Sequence, residues 1–141
     1  MFKLKKKDYE KILNHAKKNL PEEACGLITG IRKSHVSTAE EVWLLENTDH
    51  SPEHFTISPE DQLKVLMEAR KKGQQVIAVW HSHPSTPSRM SEEDIRLARD
   101  EERSYLILSL AEKESVLHAF RMHNGDVQNE ELQITEEGKQ S

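Results

Sequence analysis

The strongest constraint on the fold is residues 76–80 (VIAVW), a run that is apolar at every position. Successive side chains of a strand point to opposite faces, so a strand with no polar position needs cover on both sides. That requirement calls for a sheet with helices packed against it. Residues 105–110 (YLILSL), apolar but for Ser109, read as another buried strand.

The rest of the chain supplies the other layers. Phe2 and Leu4 alternate with lysines, as in a short edge strand whose lysines discourage pairing. Asp8 is placed to cap a first helix, with Tyr9, Ile12, Leu13, Ala16 and Leu20 at helical spacing before Pro21. Residues 24–31 (ACGLITGI) read as a buried strand, and residues 35–46 as another around Val42, Trp43, Leu44 and Leu45. Phe55 and Ile57 suggest a short strand before Ser58-Pro59, an N-cap and N1 pair. The second helix then runs to about Lys72, with Leu63, Leu66, Met67 and Arg70 on one stripe and Gly73 as its stop. A loop holding Pro84 and Pro87 leads to a third helix from Ser91 to about Glu102 that buries Ile95 and Ala98. Residues 115–123 and 127–134 make a final pair turned at Asn124-Gly125. The order β-α-β-β-β-α-β-α-β-β-β predicts a mixed sheet flanked by helices, an α/β or α+β sandwich. One domain over residues 1–134 is expected, with a polar tail over 135–141.

Composition removes several functions. The chain has 141 residues and a net charge of −5, so it lacks the basic balance that nucleic-acid binding needs. No apolar run approaches the roughly 20 residues of a membrane span. The N-terminal MFKLKKKDYE lacks the apolar stretch of a secretory signal. One cysteine, Cys25, cannot form an internal disulfide framework or a multi-cysteine zinc site. The expectation is a soluble cytoplasmic protein that engages neither nucleic acid nor membrane, with its oligomeric state open.

Chemistry concentrates after the first apolar run. His81 and His83 stand at i and i+2 of a strand, on one face, where two imidazoles can converge on one ion. Asp94 follows on the first turn of the third helix, and the two prolines stiffen the loop that brings it back. Two histidines and a carboxylate leave a fourth position open, the pattern of a catalytic zinc. Each part also has a plain structural reading: histidines that end a strand, and Ser91 to Asp94 as a capped helix start. Jointly they are harder to dismiss. With 8 His, 12 Ser and 6 Asp in the chain, about 0.0015 chance occurrences of His-x-His-x7-Ser-x2-Asp are expected.

This spacing resembles the JAMM motif of the MPN+ zinc metallopeptidases, which reads here as His81, His83, Ser91 and Asp94 without departure. The family's upstream Glu-x-x-Gly matches Glu23 to Gly26, with Glu22 as the neighbour open to confusion. The resemblance spans roughly residues 3–134 and implies an MPN/JAB1 sandwich, similar to cytidine deaminases. It implies zinc (Zn2+) on His81, His83 and Asp94, Glu23 as general base, and Ser91 as a hydrogen-bond donor to the oxyanion. Ser91 as a helix cap stays open beside that role. The chain is similar to the small prokaryotic members, which act at the C-terminal Gly-Gly of a ubiquitin-like sulfur carrier protein. The implied activity is peptidase or isopeptidase hydrolysis there, with the tail paired to a groove strand near residues 51–57.

Other readings remain at this point. Cys25 paired with His81 or His83 would make a nucleophile, against the plainer reading of a buried core thiol. His50 and His54 could shape a substrate channel or add ligands, or be solvated loop residues. An MPN-type scaffold without catalysis is a second class. A zinc deaminase is a third, although its His-x-Glu and Pro-Cys-x-x-Cys signature is absent.

Overall fold

The structure, a computed structural model, describes residues 1–136. It places eight strands in one mixed sheet: β1 (Phe2–Lys5), β2 (Cys25–Lys33), β3 (Val36–Leu45), β4 (Gln75–His83), β5 (Ser104–Ser109), β6 (Val116–His123), β7 (Asp126–Glu130) and β8 (Leu132–Thr135). Three helices accompany them: α1 (Lys6–Asn19), α2 (Pro59–Lys71) and α3 (Glu92–Leu97). The strand order is β7-β6-β5-β4-β2-β3-β1-β8. Glu131 alone joins the two outermost strands, so the sheet must curl until its edges approach each other.

The doubly apolar run lies at the centre, as its sequence requires. β4 pairs antiparallel with β2 and parallel with β5. One sheet face holds Trp80, Ile28, Leu106 and Leu108 with Ile12 and Ala16 of α1. The other holds Cys25, Leu27 and Val76 with Val65 of α2. Among the described residues no helix is long and apolar enough to cross a membrane.

Several local expectations change. β1 is not an edge: it lies between β3 and β8, parallel to both, so Phe2 and Leu4 are fully buried. α1 starts at Lys6 with Lys5 at the N-cap, and Asp8 sits buried in the first turn. Ser58 does cap α2 with Pro59 behind it, but the helix buries Val65 and Ala69 while Leu63 and Met67 point outward. Residues 51–57 form no strand. α3 is only six residues long and none of them is buried; of the pair expected inside, Ala98 is buried just past its end. Residues 127–134 break at Glu131, and β8 crosses to pair with β1 instead of extending the hairpin. The polar tail expected at residue 135 begins inside β8, and residues 137–141 lie outside the described residues.

Candidate metal centre

β4 continues through both histidines and ends at His83. On its two sides His81 faces Cys25 of β2 and Ile107 of β5, so the ring is fixed by a ladder on each flank. Phe55 stacks on the His81 ring at 4.6 Å between centroids. His83 Nδ1 lies 2.9 Å from the carbonyl of Pro87, to which it donates. That bond leaves the neutral ring's Nε2 with its lone pair free for a ligand.

The loop carrying Pro84 and Pro87 is held by more than its prolines. Ser109 Oγ donates to the Thr86 carbonyl at 2.6 Å, and Ser88 Oγ donates to the Ile107 carbonyl at 2.7 Å. α3 then opens with a reciprocal capping box. Asp94 N–H donates to Ser91 Oγ at 3.0 Å, and Ser91 N–H donates to Asp94 Oδ2 at 2.9 Å. The same carboxylate reaches the histidines, with Oδ1 at 3.4 Å from His81 Nε2 and Oδ2 at 3.2 Å from His83 Nε2. The two Nε2 atoms are 3.2 Å apart. Donors about 2.0–2.1 Å from one tetrahedral centre lie about 3.3–3.4 Å from each other, so the three atoms fit a single zinc-sized ion. They form the His-His-Asp group found among the described residues as able to hold a metal.

Glu23 sits two residues before β2, not on it. Its backbone is clamped on both sides: its N–H donates to the Ser51 carbonyl at 2.8 Å, and its carbonyl accepts from Asn47 Nδ2 at 3.0 Å. The next N–H, of Ala24, donates to Ser82 Oγ at 2.8 Å, tying this segment to the strand between the two histidines. Gly26 is forced by contact. A Cβ there would lie 1.9 Å from the Trp43 carbonyl and 2.4 Å from Trp80 Nε1, which donates to that carbonyl. Glu23 is buried and lines the cleft beside Asp94; Glu22 turns away to His50.

The environments separate the titrating groups. Burial pushes the Glu23 carboxyl up to about 8, with His83 pulling it down and Asp94 adding to the rise. Burial also pushes Asp94 up, but the facing His81 and His83 imidazoles win and hold it well below the ordinary carboxylate range. Burial keeps His81 below its usual value. One carboxyl near neutrality beside one that stays ionised is the division of labour an acid–base site needs.

The cysteine reading fails. Cys25 is fully buried, its thiol is pushed up to about 12 chiefly by burial, and its Sγ is directed at the Leu45 carbonyl, not at an imidazole. His50 pairs with Glu22 and Glu46 at the surface, whereas His54 contacts Glu93 and lines the cleft. Sequence reasoning missed Phe55 as the ring over His81, Ser82 as the tie to Ala24, and Asn47. Asn47 also donates to the His54 carbonyl and accepts from Asp49 and Thr56 N–H groups, which organises the loop. A small polar residue in an apolar strand was the available signal for Ser82; an asparagine in a turn-rich stretch carries no such mark.

Comparison with known proteins agrees with this architecture. The chain is 27% identical to the CysO-cysteine peptidase of Mycobacterium tuberculosis over 124 residues, 87% of this chain and 84% of that one. It is 34% identical to a probable TtuB-protein conjugate cleaving protease of Thermus thermophilus over 86 residues, 60% of this chain and 55% of the relative. The solution structure of a protein from Desulfitobacterium hafniense superposes with a TM-score of 0.90 at 44% identity, covering 99% of this chain and 96% of that one. Residues 5–123 match the family described as prokaryotic homologues of the JAB domain. The chain therefore belongs to the JAB-domain family, in its small prokaryotic branch.

Proposed function

We propose that this protein is a zinc-dependent hydrolase of the amide bond that follows the C-terminal Gly-Gly of a ubiquitin-like or sulfur carrier protein. The observation that carries the reading is the convergence of His81, His83 and Asp94 at mutual distances of 3.2–3.4 Å beside a buried Glu23. Family membership supports it, as do two relatives whose names bracket the chemistry. One is a peptidase named for cysteine, the other a protease named for protein conjugates. The cytoplasm, where such carriers work, is the proposed compartment.

His81, His83 and Asp94 would hold the ion. Zinc there supplies Lewis acidity, which acidifies water and polarises an amide carbonyl. Glu23 accepts a proton from the attacking water on its carboxylate and passes it to the departing amine nitrogen as the C–N bond breaks. Burial, by raising its affinity for that proton, suits it to both steps. Ser91 is assigned the hydrogen bond to the carbonyl oxygen as that atom gains charge. Its hydroxyl uses a lone pair in the cap, which leaves its proton to donate. Phe55 covers the His81 ring and limits water on that side.

The test is incubation of zinc-loaded protein with the host's ubiquitin-fold carriers bearing C-terminal extensions, read by intact mass. Release of the extension after Gly-Gly, lost on chelation and restored by zinc, is the expected result. A protein that binds no zinc and keeps its partners after His83→Ala would be a scaffold. Action on free nucleosides would mark a deaminase.

A further inference from the structure

The candidate centre stands between two cavities of opposite character. One, about 180 Å³, carries five carboxylates on its wall: Glu23, Asp49, Glu53, Glu93 and Asp94. His54 is the one basic side chain facing it among the described residues, and it is already paired with Glu93. The other, about 370 Å³, is lined mostly by apolar groups such as Leu27, Val79 and Met90, with Arg99 and the Asp100–Arg103 ion pair also on its wall. Phe55, Thr56, Asp94 and Leu97 border both.

Chemistry decides which side of the scissile bond enters which cavity, given the hydrolase reading above. The group that returns a proton to the leaving nitrogen must lie within about 2.6–3.2 Å of it. Glu23 faces the acidic cavity, so the atoms behind that nitrogen enter there, and the acyl side is left the apolar one. A second observation points to an occupant from outside the chain. Glu23 is 5% exposed, yet among the described residues its carboxylate accepts no hydrogen bond.

We propose that the acidic cavity is the leaving-group subsite, and that Asp49, Glu53 and Glu93 make it reject leaving groups that carry a negative charge close to the scissile nitrogen. In an α-linked amino acid the free carboxylate hangs two bonds from that nitrogen and would meet Asp49, Glu53 and Glu93 on that wall. The ε-amine of a protein lysine brings only a neutral four-methylene stem, which passes between Phe55 and Leu97. Of the two kinds of leaving group set out above, the protein conjugate is the one this wall admits.

The test compares three substrates built on one ubiquitin-fold carrier ending in Gly-Gly: α-linked alanine, α-linked alanine amide, and an ε-linked Nα-acetyl-lysine amide. The acid and its amide differ only in the charge at issue. The expected kcat/KM for the acid is roughly fivefold or more below the amide, the gap narrowing as salt rises. Glu53→Gln should shrink the gap and Glu53→Lys shrink it further, through KM more than kcat. Glu53 is exposed, so both variants should fold. An independent readout is a titration of metal-free protein with Nα-acetyl-lysine amide, which should shift amide resonances at 49–56 and 92–94. Equal cleavage of acid and amide, or a gap indifferent to Glu53→Lys, overturns the subsite assignment alone. No cleavage of any of the three by zinc-loaded protein overturns the hydrolase reading, and the subsite with it.

Discussion

β4 and α3 place the three side chains that could hold an ion in contrasting ways. β4 is a central strand with ladders on both sides, and its two histidines are almost wholly buried. α3 has six residues, none buried, and depends on a capping box and on a loop anchored to β5 through Ser88 and Ser109. The strand half of the site is set by the core, whereas the helix half is set by a few hydrogen bonds. The lesson is that this centre needs only one rigid wall. Asp94 completes its cap and its ligand geometry with the same carboxylate, so forming the helix start also places the third donor.

The largest effects should come from the donors. His83→Ala and Asp94→Ala are each expected to lose both zinc and hydrolysis, measured as metal content and cleavage on the same purified sample. An Asp94→Ala protein that keeps its zinc would break the comparison, because the strand alone would then suffice. Glu23→Gln comes next: zinc content should stay while the rate falls about 10²–10⁴-fold. Full activity would show that the proton passes through another group.

Much of this site was legible because its elements are short-range. His-x-His on a strand and Ser-x-x-Asp at a helix start are local patterns, and each formed where its spacing required. The central place of β4 followed from an apolar run that leaves no face for water. What escaped was non-local. Nothing in Phe2-Lys3-Leu4 reveals that β8 will return from the far end of the chain to pair with it, turning an expected edge into a buried strand. The outward turn of Leu63 and Met67 has the same origin: helical spacing defines a stripe, but the sheet surface opposite chooses Val65 and Ala69. The ring of Phe55 over His81 depends on how the Asn47 loop folds back, which no spacing encodes.

Ser91 and Ser82 probe the two halves more finely. Ser91→Ala should cost about 10²–10³ in rate if its hydroxyl meets the carbonyl oxygen. It should also lower helix stability by about 1 kcal/mol through the lost cap. Ser91→Thr keeps the hydroxyl and should restore both, read as kcat and as the denaturation midpoint. A Ser91→Ala protein that loses only the cap energy would confine this residue to the helix start. Ser82→Ala acts on the strand half. It leaves the buried Ala24 N–H without its acceptor, at about 1–3 kcal/mol, and loosens the tie that aims Glu23. Stability should fall by that amount, with kcat lowered and zinc content unchanged.

A last test reads the burial of Glu23 without any metal. In the folded protein its carboxyl is pushed up to about 8 from an ordinary 4.5, so between those values the native state holds a proton that the unfolded chain has released. Stability then falls as pH rises through that interval and levels off above it. The contribution is whole below about 4.5 and gone above about 8. Glu23→Gln mimics the protonated form and has no such slope. Urea midpoints of the two metal-free proteins should therefore nearly coincide at pH 5 and separate by pH 8, with the wild type the less stable. Parallel curves across that range would mean that Glu23 is better solvated than its place behind the Asn47 loop requires, and the rigid wall of the site would end at the histidines.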